Sequence, residues 1–340
     1  MTPDLALVTL WALLSVYSVL VALDLGAGAY LGWAHLRREA GMVRVVERYA
    51  TPVWEAVNSL LVLLLLGMEA FFPRIINIYA SILLVPLALT LALLSARSVA
   101  FAMRHIGTPG GGAVGRRGVT YLAGAIGLLV PLPAMTFFAV LEGKGFRIVD
   151  GVIHYSLLGL VTQPLTLSLM LLALCAELHL GAVFLRWFAE RMGETDARRQ
   201  LGRIATVLSG PVAAAALLVL VVLLVTIPSA APSVRAAWPL WLVALVGLSA
   251  TTFLVVRDRG GPWPLVATAV MYFGGYMALG VTQLPYLVRG QVTAAQAFTS
   301  STMAGALGIV FVLGFLVVVL PCALLLGAYL VTGARAGTGG

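Results

Sequence analysis

Five ionisable residues lie within long apolar runs of the sequence, where a charge is expensive. They are Asp24, Glu55, Arg97, Glu177 and His179. Placing such a group at the centre of a membrane helix costs about 2.5–3.5 kcal/mol, so each is a candidate for function. Carboxyl groups inside a membrane bind and release protons, and an arginine there pairs with a carboxylate. The residue types therefore predict a proton path, an ion pair that holds helices together, or a site for a charged solute.

The composition requires that these residues sit in a membrane. Hydrophobic side chains make up 61% of the 340 residues and charged ones only 10%. A soluble domain carries about 25% charged residues. The mean hydropathy of +1.05 excludes a water-soluble globule, and the net charge of +8 is explained by membrane topology rather than by nucleic-acid binding.

The apolar runs predict an all-α membrane protein with one polytopic domain over residues 1–340. A spanning helix needs about 20 apolar residues. Nine segments meet that length, and their approximate bounds are 5–33, 53–72, 77–104, 118–140, 155–187, 201–227, 237–256, 263–288 and 303–332. The connection 34–51 has alternating basic and acidic residues, and either an interfacial helix or a solvated loop is compatible with it.

The basic residues predict the orientation of these helices. Fifteen arginines lie on one alternate set of connections and the C-terminal tail, whereas four arginines and Lys144 lie on the other set. Basic residues favour the cytoplasmic side, so we expect the N-terminus outside and the C-terminus inside. With that orientation Asp24, Arg97 and Glu177 fall in the inner half of the bilayer, and Glu55 opens the second span from the inner side. This one-sided arrangement resembles a half-channel that admits protons from the cytoplasm.

Other interpretations of these residues stay open at this point. Asp24 and Arg97 could form a buried ion pair that only fixes helix packing. Glu177 and His179 are two residues apart and project about 200° apart on a helix, so they cannot act as neighbours. His179 is more typical of a hydrogen-bonded packing residue than of a haem ligand. Cys175 and Cys322 have neither disulfide nor metal-ligand spacing, and we predict no metal site.

Local motifs in the first three spans resemble subunit II of the cytochrome bd-type quinol oxidases. They are DLGAG at 24–28, PVWE at 52–55, FFP at 71–73 and RSVAFAMR at 97–104. HLGAVFL at 179–185 is similar to a segment of the family's fifth helix. The resemblance is specific over the first third of the chain and looser beyond it.

The resemblance implies a haem-free or haem-poor accessory subunit in a prokaryotic cytoplasmic membrane. Its partner, subunit I, would hold haems of the b and d types, oxidise quinol and reduce O₂, and this chain would pack beside it as a pseudo-symmetric bundle. A small single-helix subunit and a bound quinone or lipid are also compatible with the family. The family's proton-path positions map to Glu55, with Trp54 beside it, and to Asp24. Arg97, Arg104, Glu177 and His179 are left as structural or ion-pair candidates.

The chain departs from the family pattern in two places. PVWE is followed by AVNSL at 56–60, which lacks the family's second acid and second tryptophan, and Ala102 replaces a glutamate. A proton path that used those acids would differ here or be absent. Two alternatives to the oxidase therefore stay open: a secondary transporter with a site at Asp24 and Arg97, and a purely structural subunit.

Overall fold

The computed structural model describes residues 1–49, 53–106, 113–150 and 152–317. The first half contains seven helices and one hairpin: α1 (Pro3–Arg37), α2 (Ala40–Tyr49), α3 (Val53–Phe71), α4 (Pro73–Ile106), α5 (Ala113–Leu129), α6 (Pro131–Ala134), α7 (Thr136–Leu141), β1 (Phe146–Val149) and β2 (Val152–Tyr155). The second half contains α8 (Leu157–Val161), α9 (Pro164–Arg191), α10 (Thr195–Thr226), a 3₁₀ turn (Pro228–Ala230), α11 (Ala231–Ala236), α12 (Trp238–Val256), α13 (Trp263–Gln283), β3 (Tyr286–Val288), β4 (Val292–Thr293), α14 (Ala294–Ala297) and α15 (Ser301–Val317).

The protein is a helical, multi-span membrane protein. Within the described ranges, seven helical segments are long and apolar enough to cross a membrane. They coincide with seven of the nine predicted spans. The other two predictions, 53–72 and 303–332, meet the shorter apolar helices Ser59–Phe71 and Ser301–Val317. The rest of the last predicted span, including Cys322, lies outside the described residues.

Prolines divide two of the predicted spans. The predicted helix 155–187 is wrong at its start, because α8 ends at Val161 and α9 begins only at Pro164. The predicted helix 118–140 is interrupted after Leu129, where Pro131 and Pro133 lie in the separate turn α6. A proline has no amide hydrogen and clashes with the preceding turn, so a helix tends to restart at that residue.

Two short antiparallel hairpins were not expected from the sequence. β1 pairs with β2, and β3 pairs with β4. The second hairpin occupies the end of the predicted span 263–288, because α13 stops at Gln283 and the chain continues as β3. Both hairpins connect spans, so the predicted number of crossings before them is unaffected.

The described helices enclose two apolar cores, one towards each end of the bundle. The first is built around Phe71, Phe72 and Leu223. The second is built around Leu31 and Leu185. Asp24 and Glu177 lie on the helices that line the second core, which contains residues of α1, α2, α9 and α10. α1, α9 and α10 contribute residues to both cores, and Asp24 and Glu177 are therefore positioned by two of these three helices, α1 and α9.

The connection between the first two spans contains the helix α2 and is not a solvated loop. Its apolar face is formed by Met42, Val45 and Val46, which are at most 1% exposed. On its polar face the Arg44 guanidinium donates to both carboxylate oxygens of Glu194, at 2.7 and 3.1 Å. That carboxylate raises the pKa of Arg44, which stays charged. The helix is thus held against the junction of α9 and α10.

Candidate functional site

A buried ion pair joins α1 to α4. Arg97 Nη1 donates to Asp24 Oδ2 at 2.5 Å, and Nη2 donates to the Asp24 backbone oxygen at 2.8 Å. The two side chains are only 5% and 9% exposed. Two charges taken out of water together stay stable only with good geometry and further hydrogen bonds. The second bond to the backbone carbonyl supplies this, and it fixes the guanidinium against one turn of α1.

Small residues around Asp24 allow three helices to approach the pair. A Cβ on Gly26 would lie 2.5 Å from the backbone oxygen of Glu177, so α1 and α9 are in backbone contact there. A Cβ on Gly124 of α5 would lie 2.9 Å from the backbone oxygen of Gly28. Gly127 of α5 leaves room for the Arg97 guanidinium, whose Nε would be 3.5 Å from a Cβ at that position. The DLGAG segment therefore presents its acid to α4 and its glycines to α9 and α5.

Glu177 lies on α9 close to this ion pair. It is 2% exposed, and it interacts electrostatically with Arg97 and Asp24. Neither of its carboxyl oxygens has a hydrogen-bond partner among the described residues. The structure thus brings Asp24, Arg97 and Glu177 together from three different helices, although the sequence related only the first two.

His179 faces away from this group, as its two-residue spacing from Glu177 predicts. Its Nε2 lies 3.3 Å from Ser209 Oγ on α10. Ser209 Oγ also lies within hydrogen-bond distance of the Ala205 carbonyl and of Thr252 Oγ1, so the imidazole belongs to a buried polar cluster of α9, α10 and α12. His179 is fully buried and has a side-chain contact to α10, as a packing residue would.

Three of the predicted site residues have side chains outside the described part of the structure. Trp54 and Glu55 fall in the first turn of α3, and Arg104 falls in the last turn of α4. The helix assignments place Glu55 at the end of α3 opposite Phe71, and Arg104 at the end of α4 opposite Pro73. Their positions along the helices agree with the predicted spans, and their contacts are not described.

Comparisons with known proteins place the chain in a family. A family model described as cytochrome bd terminal oxidase subunit II matches residues 2–328. The chain belongs to this family. A putative cytochrome bd menaquinol oxidase subunit II of Bacillus subtilis (strain 168) is 24% identical over 329 residues, which cover 92% of this chain and 91% of the relative.

The fold agrees with a solved oxidase. A chain in the structure of the bd oxidase from Geobacillus thermodenitrificans matches with a TM-score of 0.83 and 29% identity, and the match covers 97% of this chain and 99% of that one. This subunit is therefore part of a cytochrome bd quinol oxidase complex with a subunit I, and the family implies haems in that complex. Membership in this family argues against the alternative of an independent secondary transporter.

The sequence did not predict the ion pairs at the two ends of the bundle. At one end, Asp258 accepts hydrogen bonds from Arg186 at 3.0 Å and from Arg198 at 3.2 Å. At the other end, Arg289 pairs with Glu142 and donates to the Thr282 carbonyl at 2.6 Å. The sequence shows these charges only as loop residues, and no spacing relates residues that are 60 or more positions apart. In the sequence, one signal indicated such a pair: Arg186 lies inside the predicted span 155–187, where an arginine needs a partner.

The Asp258 contact predicts a measurable contribution to stability. We expect Asp258→Asn to lower the free energy of unfolding by about 1 kcal/mol, because it leaves the buried Arg186 without its counter-charge. A larger loss is not expected, since the Asp258 side chain is 58% exposed and is screened by water. Heat unfolding of the purified complex measures the change.

Asp150 offers a matched control for that substitution. It is exposed at the tip of the β1–β2 hairpin, and like Asp258 it has a φ of 50°. Asparagine tolerates this left-handed conformation, so Asp150→Asn should change stability by less than about 0.5 kcal/mol. Equal losses in both variants would contradict a specific role for the Asp258 ion pairs.

Proposed function

We propose that this chain is a haem-free or haem-poor accessory subunit that supports subunit I and contributes to proton uptake from the cytoplasm. The observation that carries the proposal is the polar group of Asp24, Arg97 and Glu177, buried between α1, α4 and α9 in the predicted inner half of the membrane. Ionisable groups are kept at such a depth only where they contribute to function or assembly. Glu55, at the predicted cytoplasmic end of α3, is the proposed first acceptor, and Trp54 is adjacent to it.

We propose nine spans with the N-terminus outside and the C-terminus inside. The charged contacts support the predicted division of the connections into two sets on opposite sides. The pairs Arg44–Glu194 and Arg186–Asp258 join residues that are all predicted to be inside. The pair Arg289–Glu142 joins residues that are predicted to be outside. Since each group of contacts unites loops of only one predicted side, no span needs to be added or removed among the described ranges.

The substrate of the complex is proposed to be a quinol, with menaquinol favoured by the name of the Bacillus subtilis relative. The haems of the b and d types are proposed to reside in subunit I, where they would supply the electron transfer and O₂ chemistry. This chain's own residues hold the Asp24–Arg97 pair rigid and keep an ionisable carboxyl close to it. The location is proposed to be the cytoplasmic membrane of a prokaryote.

Replacing Glu55 tests the proposed function. We expect Glu55→Gln to lower quinol-dependent oxygen consumption per haem by about tenfold or more, because glutamine cannot carry a proton. The haem content of the purified complex should stay unchanged. Glu69→Gln is the matched control, since Glu69 is an exposed glutamate near the other end of the same helix, and it should leave turnover unchanged.

The same experiment separates the proposal from a purely structural subunit. If the subunit only supports assembly, Glu55→Gln would leave turnover per haem equal to that of Glu69→Gln. Equal turnover in the two variants would therefore remove Glu55 from proton uptake and favour the structural alternative.

A further inference from the structure

Glu177 is a buried carboxyl group with nothing on the described chain to bind its oxygens. Its exposure is 2%, and both oxygens are without a hydrogen bond within the described residues. An ionised carboxylate in such a place is far more costly than a protonated one. A side chain of this kind is not needed for packing, because a leucine or methionine would fill the same volume without the desolvation cost.

Several groups close to Glu177 donate to other acceptors. On α1, the Tyr30 hydroxyl donates to the Leu178 carbonyl at 2.8 Å. On α13, the Tyr272 hydroxyl donates to the Ala176 carbonyl at 2.8 Å. On α4, Arg97 donates to the side chain and backbone of Asp24. On α10, Ser209 faces His179 on the other side of α9.

Among the side chains that the structure describes, this site contains one cation and two carboxyl groups. Arg97 and Asp24 neutralise one another through a direct ion pair. A second carboxylate within electrostatic range of the pair would leave a net negative charge buried among apolar helices, which is strongly unfavourable. The site is neutral when one of the two carboxyl groups is protonated and the other is ionised and balances the charge of Arg97.

We propose that Glu177 holds this proton and shares it with Asp24, so that the two acids and Arg97 form a proton-storage site within the subunit. Since the two acids share no hydrogen bond in this geometry, the Glu177 side chain first rotates until its O–H reaches Asp24. In the transfer step the O–H bond of Glu177 then breaks and an O–H bond of Asp24 forms. The negative charge moves from Asp24 to Glu177, and Arg97 stays a cation throughout. No oxidant or reductant takes part. The inference rests on the proposed function, and it adds an intermediate position to the path that begins at Glu55.

The geometry explains why Arg97 can serve both acids. Its second bond goes to the Asp24 backbone oxygen, which does not depend on the protonation of the side chain. The guanidinium therefore stays in place when Asp24 is neutral. Gly26 and Gly127 allow α9 and α5 to pack closely around it, so the cation stays beside Asp24 and within electrostatic range of Glu177.

Infrared spectroscopy of the purified complex tests the proposal. The C=O stretch of a protonated carboxylic acid is separate from the bands of carboxylates, and we expect the wild-type complex at neutral pH to show one such band that Glu177→Gln removes. Glu177→Asp should retain a band at a shifted position. Glu69→Gln, which changes an exposed glutamate on α3, should leave the band intact. Oxygen consumption per haem should fall about tenfold or more in Glu177→Gln and recover in part in Glu177→Asp.

Two results would overturn the proposal. One is a protonated-acid band that persists unshifted in both Glu177 variants. The other is loss of the band without any change of turnover, which would make Glu177 a neutral packing group. If Glu177→Gln does not assemble, the band shift and the turnover of Glu177→Asp decide between the same results.

The Glu55 experiment keeps this inference separate from the proposed function. Slow turnover in Glu55→Gln with normal turnover in Glu177→Gln would retain proton uptake by the subunit and reject storage at Glu177. Normal turnover in Glu55→Gln with a lost band and slow turnover in Glu177→Gln would retain the storage site and reject Glu55 as its source.

Discussion

Replacing Arg97 with methionine is expected to lower the free energy of unfolding by about 3–5 kcal/mol, because it leaves the Asp24 carboxylate buried without a counter-charge. Asp24 is 7% exposed, so water cannot replace the lost partner. Methionine matches the length of the arginine stem, and the loss therefore reports the charge rather than a cavity. Unfolding of the purified complex in mixed micelles, followed by the loss of helix signal, measures it.

A second substitution distinguishes the ion pair from simple packing. In the double variant Asp24→Leu with Arg97→Met both charges are gone, and apolar replacement of a buried pair is often nearly neutral. We expect the double variant to recover most of the stability that Arg97→Met loses, which a double-mutant cycle expresses as a coupling energy. Arg74→Met, at an exposed arginine on the same helix, should cost less than about 1 kcal/mol. Additive losses in the double variant would contradict a direct ion pair.

Adding a methyl group at Gly26 is expected to destabilise the protein as well, by a smaller amount and through packing. The Cβ of Gly26→Ala would lie 2.5 Å from the Glu177 backbone oxygen. The Cβ is attached directly to the α1 backbone and the oxygen belongs to the α9 backbone, so α1 and α9 must separate, and overpacking of this kind costs about 1–3 kcal/mol. The separation also moves Asp24 relative to Arg97 and Glu177, so turnover per haem should fall together with stability.

Gly275 on α13 provides the control for this variant. A Cβ there meets no other atom within 4 Å, so Gly275→Ala should stabilise the helix by about 0.5–1 kcal/mol through its lower conformational entropy cost. Thermal unfolding of both variants beside the wild type makes the comparison. If Gly26→Ala is as stable and as active as Gly275→Ala, the backbone contact between α1 and α9 does not position the polar group.

The sequence predicts the parts of this structure that depend on local composition. Apolar runs of sufficient length indicate the spanning helices, and charges within those runs single out Asp24, Arg97 and Glu177. The motif DLGAG also indicates where helices approach closely, because the glycines at 26 and 28 have no side chain and let a neighbouring backbone come near. These features are local, since each depends on a short stretch of chain and on the cost of a charge in lipid.

Other features depend on contacts that no local pattern specifies. Pro131 and Pro164 end or restart helices inside apolar runs, and hydropathy does not register such a break. The position of Glu177 near the Asp24–Arg97 pair depends on the rotation of α9 relative to α1, which is set by Gly26 and Gly181 on the two facing helices. The pairing of Arg186 with Asp258 joins the ends of distant elements, and it becomes visible only when α9, α10 and α12 are packed together.

Proton uptake measured directly tests the central claim that this subunit supplies protons to the complex. The assembled oxidase is reconstituted in liposomes, with a pH indicator on the side that faces the predicted cytoplasmic end, and a pulse of O₂ starts turnover. The account predicts that Glu55→Gln and Glu177→Gln delay the uptake of protons relative to wild type and to Glu69→Gln, at equal haem content. Proton uptake at the wild-type rate in both variants would contradict it.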